Sequence, residues 1–577
     1  MELRRAKIFR KILFLVVGVI SLRLFYVQIL QHGEWVAKAE EQHTLENTIS
    51  AKRGEIYMMD GDEPVEVVMN ETVYTVIIDP MIVNREKLEA AISKTGIETT
   101  TKVSEAFSSG ELRYFILAKK VPREKMLKLR EEELGGVYIK EETSRVYPEG
   151  ELAAQVLGFV NADGEGQYGV EGALNKELKG KDGLLKTIAD VNQVALSIGD
   201  ENVKIPAEDG ENVVLSIDRN IQKNVERILR EKLEEYGKDK AAAIVMNPNN
   251  GEILAMANIP TYDPAKYTEV EDAGVYMNRT VEEPYEPASV CKAFTFATGI
   301  ELGVMTPETT YYNQHVTYID GWPIWNASLN DSLYGTQTMQ VALNWSLNTG
   351  SIQALRLIGG NAERITEEGR KRLYDFYVNH FGLGTFTGIE LYEAEGLIGD
   401  PVEGDGRDSL YANMTFGQNL QVTMIQVISG YATLINGGKY YTPTIVKGKI
   451  ENGKLVEKEK QGAVREAISA ETSKTMRGML YGTRAMQRLY GNDRAGYYIG
   501  GKTGTAQVIR DGKYVMDESV ATYVGFGGNS QDLSDYIVMV RIWKDGQTTD
   551  AQMYALPTFT AISNYLIDYL KLKPGDF

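Results

Sequence analysis

The chain has 577 residues, a formal net charge of −18 and 43% hydrophobic residues. This length exceeds a usual single domain, and the hydrophobic content can supply real cores, so we expect two or three folded domains. General nucleic-acid binding needs a clustered excess of Lys and Arg, and the acidic balance of this chain argues against it.

Cysteine and histidine are scarce. Cys291 is the single cysteine, so no intrachain disulfide can form and the fold depends on packing alone. The four histidines show no metal-ligand spacing such as HExxH, which disfavours a zinc hydrolase, and they stand at His32, His43, His315 and His380. We expect no metal and no cofactor.

The amino terminus predicts where the protein resides. Basic residues from Arg4 to Lys11 precede a mostly apolar run, Ile12 to Leu30, which is about as long as a bilayer-spanning helix. The basic flank predicts that residues 1–33 form a cytoplasmic stub and one transmembrane anchor, with the remainder outside the cell membrane. Arg23 interrupts the run, but in its outer half the side chain can extend toward the interface.

A cleaved signal peptide is the alternative to an anchor. Ala37-Lys38-Ala39 offers an A-x-A pattern, although it stands well past the apolar run. A mature chain that begins near Glu40 would contradict the anchor.

Residues 34–205 mix strand-like stretches such as Thr72 to Ile78 with helical stretches such as Pro122 to Glu133. This mixture predicts a separate α+β module. Loop residues at 206–210 then introduce the last region, 206–577, which we expect to be one α/β domain with a sheet flanked by helices.

The predicted elements of the last region follow from local patterns of hydrophobic and turn residues. They are a strand at 212–218, a helix at 220–236, a hairpin of 241–246 and 252–257 around the turn 247–251, late strands at 521–525 and 536–543, and a closing helix at 558–572.

Three short motifs occur in order along this region. They are Ser289-Val290-Cys291-Lys292, Ser346-Leu347-Asn348 and Lys502-Thr503-Gly504. Together they match the S-x-x-K, S-x-N and K-T-G set of penicillin-binding proteins and serine β-lactamases, although each motif alone is a weak signal.

The chain also contains a second S-x-N and a second K-T-G. Lys94-Thr95-Gly96 lies before Ser289 in the chain, at the end of a helical pattern, whereas Lys502 lies in a strand context. Ser328-Leu329-Asn330 lies in a loop, whereas Ser346 follows a helical pattern. Structural context therefore favours Lys502 and Ser346.

The spacing of the first motif has a chemical purpose. If a helix begins near Pro287, Ser289 and Lys292 face the same way, so the lysine amine can lie beside the serine hydroxyl. A lysine acts as a base only when neutral, and both burial and a second cation such as Lys502 lower its pKa. A helix with an ordinary serine and a solvated lysine is the alternative for these two residues alone. Cys291 lacks a nearby histidine in the sequence, and we assign it no chemistry.

At these residues the chain resembles class B penicillin-binding proteins. The likeness extends over nearly the whole catalytic domain, at Leu215-Ser-Ile-Asp218 with Gln222, Gly251-Glu-Ile-Leu-Ala-Met256, Asn278-Arg-Thr280, Tyr285-Glu-Pro-Ala-Ser289, Phe381-Gly-Leu-Gly384 with Thr387-Gly-Ile389, Phe416-Gly-Gln418, Asn436-Gly-Gly438 and Val524-Gly-Phe526. Glu286-Pro287 is more similar to the division or sporulation branch than to the elongation branch.

The preceding module resembles the pedestal of the same family. Arg53-Gly-Glu-Ile56, Arg145-Val-Tyr-Pro148 and Gly169-Val-Glu171 are similar to parts of the pedestal signature. The resemblance implies a transpeptidase without its own glycan polymerase, so that a membrane glycan polymerase is an expected partner.

Several positions depart from the family pattern. They are the run Tyr57 to Gly61, Gln155 where a histidine is common, Asn247 in place of aspartate, and Ala288 in place of the glycine before the serine. These departures concern the pedestal contacts and the detailed geometry of the cleft.

The resemblance also implies roles for the motif residues. Ser289 would be the acylated nucleophile, Lys292 its general base, and Ser346 the relay that passes a proton to the leaving amine. The expected substrate-binding residues are Asn348 for the donor amide, Lys502 and Thr503 for the terminal carboxylate, Gly504 of the same motif, and Thr505, whose N–H would join that of Ser289 in the oxyanion hole. The implied substrates are peptidoglycan stem peptides, donor and acceptor, and β-lactams would acylate the same serine.

Three other functions share parts of this sequence pattern. A serine β-lactamase has the same triplets but hydrolyses its acyl-enzyme quickly, and the anchor, pedestal and length argue against it. A β-lactam sensor would resemble proteins that have several membrane spans and a metalloprotease motif, and this sequence shows neither feature. A non-catalytic scaffold with a vestigial site is disfavoured by the intact motifs.

Overall fold

The computed structural model describes residues 2–35, 44–108, 112–188, 203–402, 404, 406–487, 492–510 and 513–575. The possible signal-peptide site at 37–39 and the possible mature start at Glu40 lie outside the described residues.

The described helices include an amino-terminal helix, many short helices and a carboxy-terminal helix. The α-helices are Glu2–Phe25, Arg85–Thr95, Val103–Ala106, Arg123–Arg130, Ala154–Leu157, Gly169–Ala173, Asn175–Lys179, Arg219–Tyr236, Arg279–Glu282, Lys292–Glu301, Met339–Asn344, Asn348–Ile358, Glu367–Asp375, Arg407–Met414, Met424–Thr433, Ala470–Ala485 and Ala555–Tyr569. Two π-helical turns, Tyr26–Leu30 and Phe376–His380, continue the first and the thirteenth of these, and the 3-10 helices are Pro264–Glu269, Ala273–Val275, Ala288–Cys291 and Asp331–Leu333.

The described residues fall into two compact units. One consists of Met1–Gly54 with Lys179–Gly210, and the other consists of Glu55–Leu178 with Glu211–Phe577. The first unit contains the amino-terminal helix and a three-stranded antiparallel sheet in the order Thr44–Ile49, Gly183–Ile188, Val203–Ile205. In the described part of the chain, the stretch Arg4–Leu30 is the one helix long and apolar enough to cross a membrane.

The second unit is built on a five-stranded antiparallel sheet. Its strands lie in the order Ile253–Ile259, Lys240–Met246, Tyr536–Trp543, Lys513–Gly527, Gly500–Arg510. The last of these, which we call the K-T-G strand, forms one edge of the sheet.

Both faces of this sheet are covered. Successive side chains of a strand point to opposite faces, and along Lys240–Met246 they enter two different hydrophobic clusters. One cluster includes the buried faces of Arg219–Tyr236 and Ala555–Tyr569, and the other includes Lys292–Glu301. The prediction of an α/β domain with helices flanking a sheet is confirmed.

A second sheet of the same unit contains strands from both regions distinguished in the sequence. Its order is Lys454–Glu457, Val446–Glu451, Val213–Asp218, Ile56–Asp60, Glu63–Ile78, Phe115–Pro122, and Val137–Val146 also pairs with Glu63–Ile78. Val213–Asp218 runs parallel to Ile56–Asp60, which ties the start of the catalytic region to the module before it.

The remaining strands form two-stranded ribbons of the second unit. The pairs are Phe159–Val160 with Gly166–Gln167, Thr310–Asn313 with Gly335–Thr338, Val316–Ile319 with Trp322–Trp325, and Lys439–Tyr440 with Arg465–Glu466.

The first helix of the catalytic region shows how local sequence sets its ends. Asp218 caps Arg219–Tyr236 by accepting from the backbone N–H groups of residues 220 and 221, both at 2.9 Å. Gly237 ends the helix with φ +63°, a left-handed conformation that glycine adopts without strain. The predicted helix at 220–236 is confirmed.

Candidate active site

The first motif lies where a short 3-10 helix becomes an α-helix. Ala288–Cys291 forms the 3-10 turn and Lys292–Glu301 continues it. Ser289 is half-buried, whereas the helix that follows is buried from Lys292 to residue 299. The helix expected near Pro287 therefore begins at the next residue.

The backbone before the serine is held in a strained conformation. Ala288 has φ +52°, in the left-handed region, which costs an L-residue roughly 1–2 kcal/mol.

 The N–H of Ala288 donates to the carbonyl oxygen of Gly417 at 3.0 Å. A Cβ at Gly417 would lie 2.1 Å from the carbonyl oxygen of Ala288, so only glycine allows this close approach.

Lys292 is the centre of the polar cluster. Its side chain is fully buried, and four oxygens surround Nζ: Ser289 Oγ at 2.9 Å, Ser346 O at 2.6 Å, Ser346 Oγ at 3.0 Å and Asn348 Oδ1 at 2.8 Å. An ammonium has three hydrogens and no acceptor, so it can donate fully to only three of these four oxygens. A neutral amine can instead donate to the carbonyl and amide oxygens and accept a proton from a hydroxyl.

The electrostatics favour this neutral amine. Burial lowers the pKa of Lys292 well below its usual range, and the positive charge of Lys502 lowers it further. Burial also lowers the pKa of Lys502, to about 7. Lys502 therefore lowers the pKa of Lys292, as the sequence predicted.

The second motif lies in a turn between two helices. Met339–Asn344 leads into it and Asn348–Ile358 follows. Ser346 itself has φ +56°, again left-handed, and its hydroxyl lies 3.0 Å from Nζ of both Lys292 and Lys502. The Nδ2 group of Asn348 donates to the carbonyl oxygen of Trp325 at 2.8 Å, so both ends of this amide have partners in the protein.

The third motif lies on the K-T-G strand. Lys502 is buried, Thr503 is half-buried and Thr505 is exposed. A Cβ at Gly504 would lie 2.6 Å from the carbonyl oxygen of Pro287, so the strand can approach the nucleophile only because this residue is glycine. Thr505 Oγ1 accepts from the backbone N–H of Ala551 at 3.2 Å.

The two competing motifs lie elsewhere. Lys94 is in the last turn of Arg85–Thr95 and pairs with Glu132 at 2.6 Å, and Gly96 ends that helix. Ser328 lies in irregular structure after the strand Trp322–Trp325. Both positions have the settings that the sequence predicted.

The sequence did not reveal a carboxylate beside the nucleophile turn as part of the site. Glu286 is buried, and Oε1 accepts from the N–H of Asn419 at 2.7 Å and from the hydroxyl of Tyr514 at 3.1 Å. Burial raises the pKa of Glu286. This carboxylate joins the nucleophile segment to a loop at Asn419 and to the strand Lys513–Gly527, which are both remote in sequence, and no local pattern predicts these contacts.

Cys291 is buried, and burial raises the pKa of its thiol, as expected for an inert side chain. Within the described ranges no group of three or more His, Cys, Asp or Glu residues could hold a metal ion.

Comparisons with known proteins agree with this architecture. Residues 241–564 match the penicillin binding protein transpeptidase domain, and residues 48–215 match the penicillin-binding protein dimerisation domain. The chain therefore belongs to the penicillin-binding proteins.

The relatives define the branch. Stage V sporulation protein D of Bacillus subtilis (strain 168) is 31% identical over 530 residues, which are 90% of this chain and 78% of that protein. Peptidoglycan D,D-transpeptidase FtsI of Escherichia coli (strain K12) is 28% identical over 465 residues, 80% of this chain and 73% of that protein. The chain is a class B penicillin-binding protein of the division or sporulation type.

Solved structures share the fold. Penicillin binding protein 3 from Mycobacterium tuberculosis, complexed with aztreonam, superposes with a TM-score of 0.67 at 23% identity, covering 92% of this chain and 98% of that one.

Proposed function

We propose that this protein is a peptidoglycan D,D-transpeptidase that cross-links stem peptides through an acyl-enzyme on Ser289. One observation carries the proposal: the Ser346 hydroxyl lies 3.0 Å from two buried lysine amines, and one of these amines is 2.9 Å from the hydroxyl of Ser289. This is a connected path for a proton from the nucleophile to a leaving group.

The acylation step follows from the path. The neutral amine of Lys292 accepts the proton of Ser289 as Oγ attacks the carbonyl carbon of the donor's penultimate D-alanine. The tetrahedral intermediate collapses when the bond to the terminal D-alanine breaks. Ser346 passes a proton from Lys292 to that leaving amine, and Lys292 is neutral again. Proton transfer by positioned groups contributes roughly 10²- to 10⁴-fold.

The K-T-G strand holds the donor. As an edge strand it has one row of backbone groups available for an extended peptide. Lys502 and Thr503 bind the terminal carboxylate, and Gly504 allows the close approach. The N–H groups of Ser289 and Thr505 form the oxyanion hole, which stabilises the charge that develops on the carbonyl oxygen.

Asn348 binds the donor amide. Because its Oδ1 and Nδ2 groups contact Lys292 and Trp325 in the free protein, it either holds the amide through a shared contact or exchanges one partner on binding. In the second half-reaction the amine of an acceptor stem peptide attacks the acyl-enzyme and forms the cross-link.

β-Lactams acylate the same serine. Their strained amide takes the place of the terminal D-alanyl amide, but the leaving amine stays tethered to the acyl group and blocks the acceptor. The M. tuberculosis structure similar to this chain is a complex with the β-lactam aztreonam, which supports this part of the proposal.

The location and the domain division complete the proposal. Residues 1–33 form a cytoplasmic stub and a membrane anchor, 34–205 a pedestal, and 206–577 the transpeptidase domain outside the membrane. The apolar helix and the two domain matches support this division. A membrane glycan polymerase supplies the strands that are cross-linked.

Fluorescent penicillin tests the function. Wild type forms a covalent adduct, Ser289→Ala forms none, and Ser328→Ala, which alters the unrelated S-x-N, reacts like wild type. An unlabelled wild type would support a non-catalytic scaffold instead. An adduct that turns over within seconds would indicate a β-lactamase.

Cell fractionation tests the anchor. The full chain is expected in the membrane fraction, and a chain lacking residues 1–33 in the soluble fraction. If cells that express the full chain yield a soluble protein that begins near Glu40, the anchor is contradicted.

A further inference from the structure

A cavity of about 180 Å³ lies beside the K-T-G strand, farther along it than Lys502. Residues 283–286 and 506–509, with Gln421, Val520 and Arg541, form its wall. Gln421 and Ile509 are exposed, so the cavity is open to solvent.

Arg541 is the unusual member of this wall. Its side chain is 4% exposed, and its guanidinium lies between the rings of Tyr285 and Trp543, 4.2 and 4.3 Å from their centroids. Nη2 donates to Glu283 at 3.1 Å, but among the described residues Nε and Nη1 have no acceptor. Buried donors without acceptors are rare in proteins.

The guanidinium of Arg541 shares its one carboxylate partner with a second guanidinium. Glu283 pairs with two guanidinium groups, those of Arg279 and Arg541. Glu286 also lines the cavity, but its carboxylate already accepts from Tyr514 and from the backbone of Asn419. A carboxylate is the ligand group that best matches a buried guanidinium with free donors.

The cavity has a defined place along the donor path. With the terminal carboxylate at Lys502 and Thr503 and the reacting carbonyl at Gly504, earlier donor residues extend toward 506–509. A strand advances about 3.3 Å per residue. The side chain of the residue that precedes the reacting D-alanine therefore reaches the cavity.

We propose that Arg541 binds a carboxylate on the side chain of that donor residue, so that the enzyme selects stem peptides whose diamino acid carries a side-chain carboxylate. This inference rests on the proposed transpeptidase function. It assigns Arg541 to donor specificity and leaves the reacting groups unchanged.

The test compares three synthetic donors, N-acetyl-X-D-alanyl thioglycolates. In these X is diaminopimelic acid, the same residue amidated on its side-chain carboxylate, or lysine. Release of thioglycolate gives the second-order rate constant for acylation. A charge-assisted hydrogen bond corresponds to a preference of about 10- to 100-fold, so we expect the wild type to favour the acid over the amide and lysine donors by that factor.

Arg541→Gln is expected to lower the acid-to-amide ratio to within about threefold of unity, because a neutral amide lacks the charge that strengthens the hydrogen bond. The ratio is internal to each protein, so a general loss of activity cancels. Arg477→Gln is the matched control: Arg477 is also buried between two aromatic rings and has an unpartnered Nη1, but it does not line the cavity.

The outcomes separate the two proposals. A wild type that reacts with penicillin but shows no acid preference overturns the subsite and leaves the transpeptidase intact, and so does an Arg541→Gln protein that keeps the preference. A wild type that fails to react with penicillin overturns the function and this inference together. If Arg541→Gln does not fold, the acid-to-amide ratio of the wild type alone tests the subsite.

Discussion

Replacing Lys502 with Met should shift the pH dependence of acylation. The substitution removes one of the two cations at the site and keeps an apolar side chain of similar length. The pKa of Lys292 is lowered first by burial and then by the charge of Lys502. Without that charge the pKa of Lys292 should rise, because a like charge nearby disfavours the ammonium.

The magnitude follows from the geometry. Both Nζ atoms lie 3.0 Å from Ser346 Oγ, so they are no more than about 6 Å apart. At an effective dielectric constant of about 20, two unit charges at this distance repel by about 3 kcal/mol, which is about two pKa units. The full shift appears where Lys502 is charged, below its pKa of about 7.

The assay is the second-order rate constant for acylation by fluorescent penicillin between pH 5 and 10. The rate rises as Lys292 loses its proton, and this rising limb should move upward by about two pH units in Lys502→Met. In wild type the rate should fall again above about pH 7, because a neutral Lys502 no longer attracts the β-lactam carboxylate. The variant should lack this falling limb and react more slowly throughout.

Lys94→Met is the control, since it alters the other K-T-G, whose lysine is exposed and paired with Glu132. Its profile should match wild type. A rising limb that stays in place or moves downward in Lys502→Met would refute the coupling of the two lysines.

Two further predictions concern packing. Gly417→Ala should slow acylation at least about tenfold and lower the melting temperature, because the new Cβ would lie 2.1 Å from the carbonyl oxygen of Ala288. Gly437 is the control: it has φ +83° and open space around it, so Gly437→Ala should show only the backbone cost of roughly 1–2 kcal/mol. Arg484→Gln breaks a buried ion pair and should lower the free energy of unfolding, measured by chemical denaturation, by about 3–5 kcal/mol. Arg494→Gln breaks an exposed ion pair and should lower it by less than about 1 kcal/mol. Equal losses within either pair of variants would contradict the packing described.

Elements with strong periodicity were predicted well from the sequence. The strand at 536–543 has the predicted bounds, and the strand at 212–218 begins one residue later than predicted. The closing helix is Ala555–Tyr569 instead of 558–572. Its start was missed because Pro557 lies in the first turn, a position that tolerates proline although the residue reads as a break in the pattern.

The residues of the site were predictable because each motif occurs in a recognisable setting. The left-handed conformations of Ala288 and Ser346 were not predictable, because neither residue type favours that region and only tertiary contacts hold these residues in it. Arg541 was not singled out either, since it lies within an apolar strand and its free donors become apparent only from the packing of three distant segments.

The most direct test of the account is mass spectrometry of the penicillin adduct after proteolysis. One penicilloyl group per chain is expected, attached to Ser289, and no adduct is expected in Ser289→Ala. Attachment at another residue, or an unmodified Ser289 in a chain that binds penicillin, would contradict it.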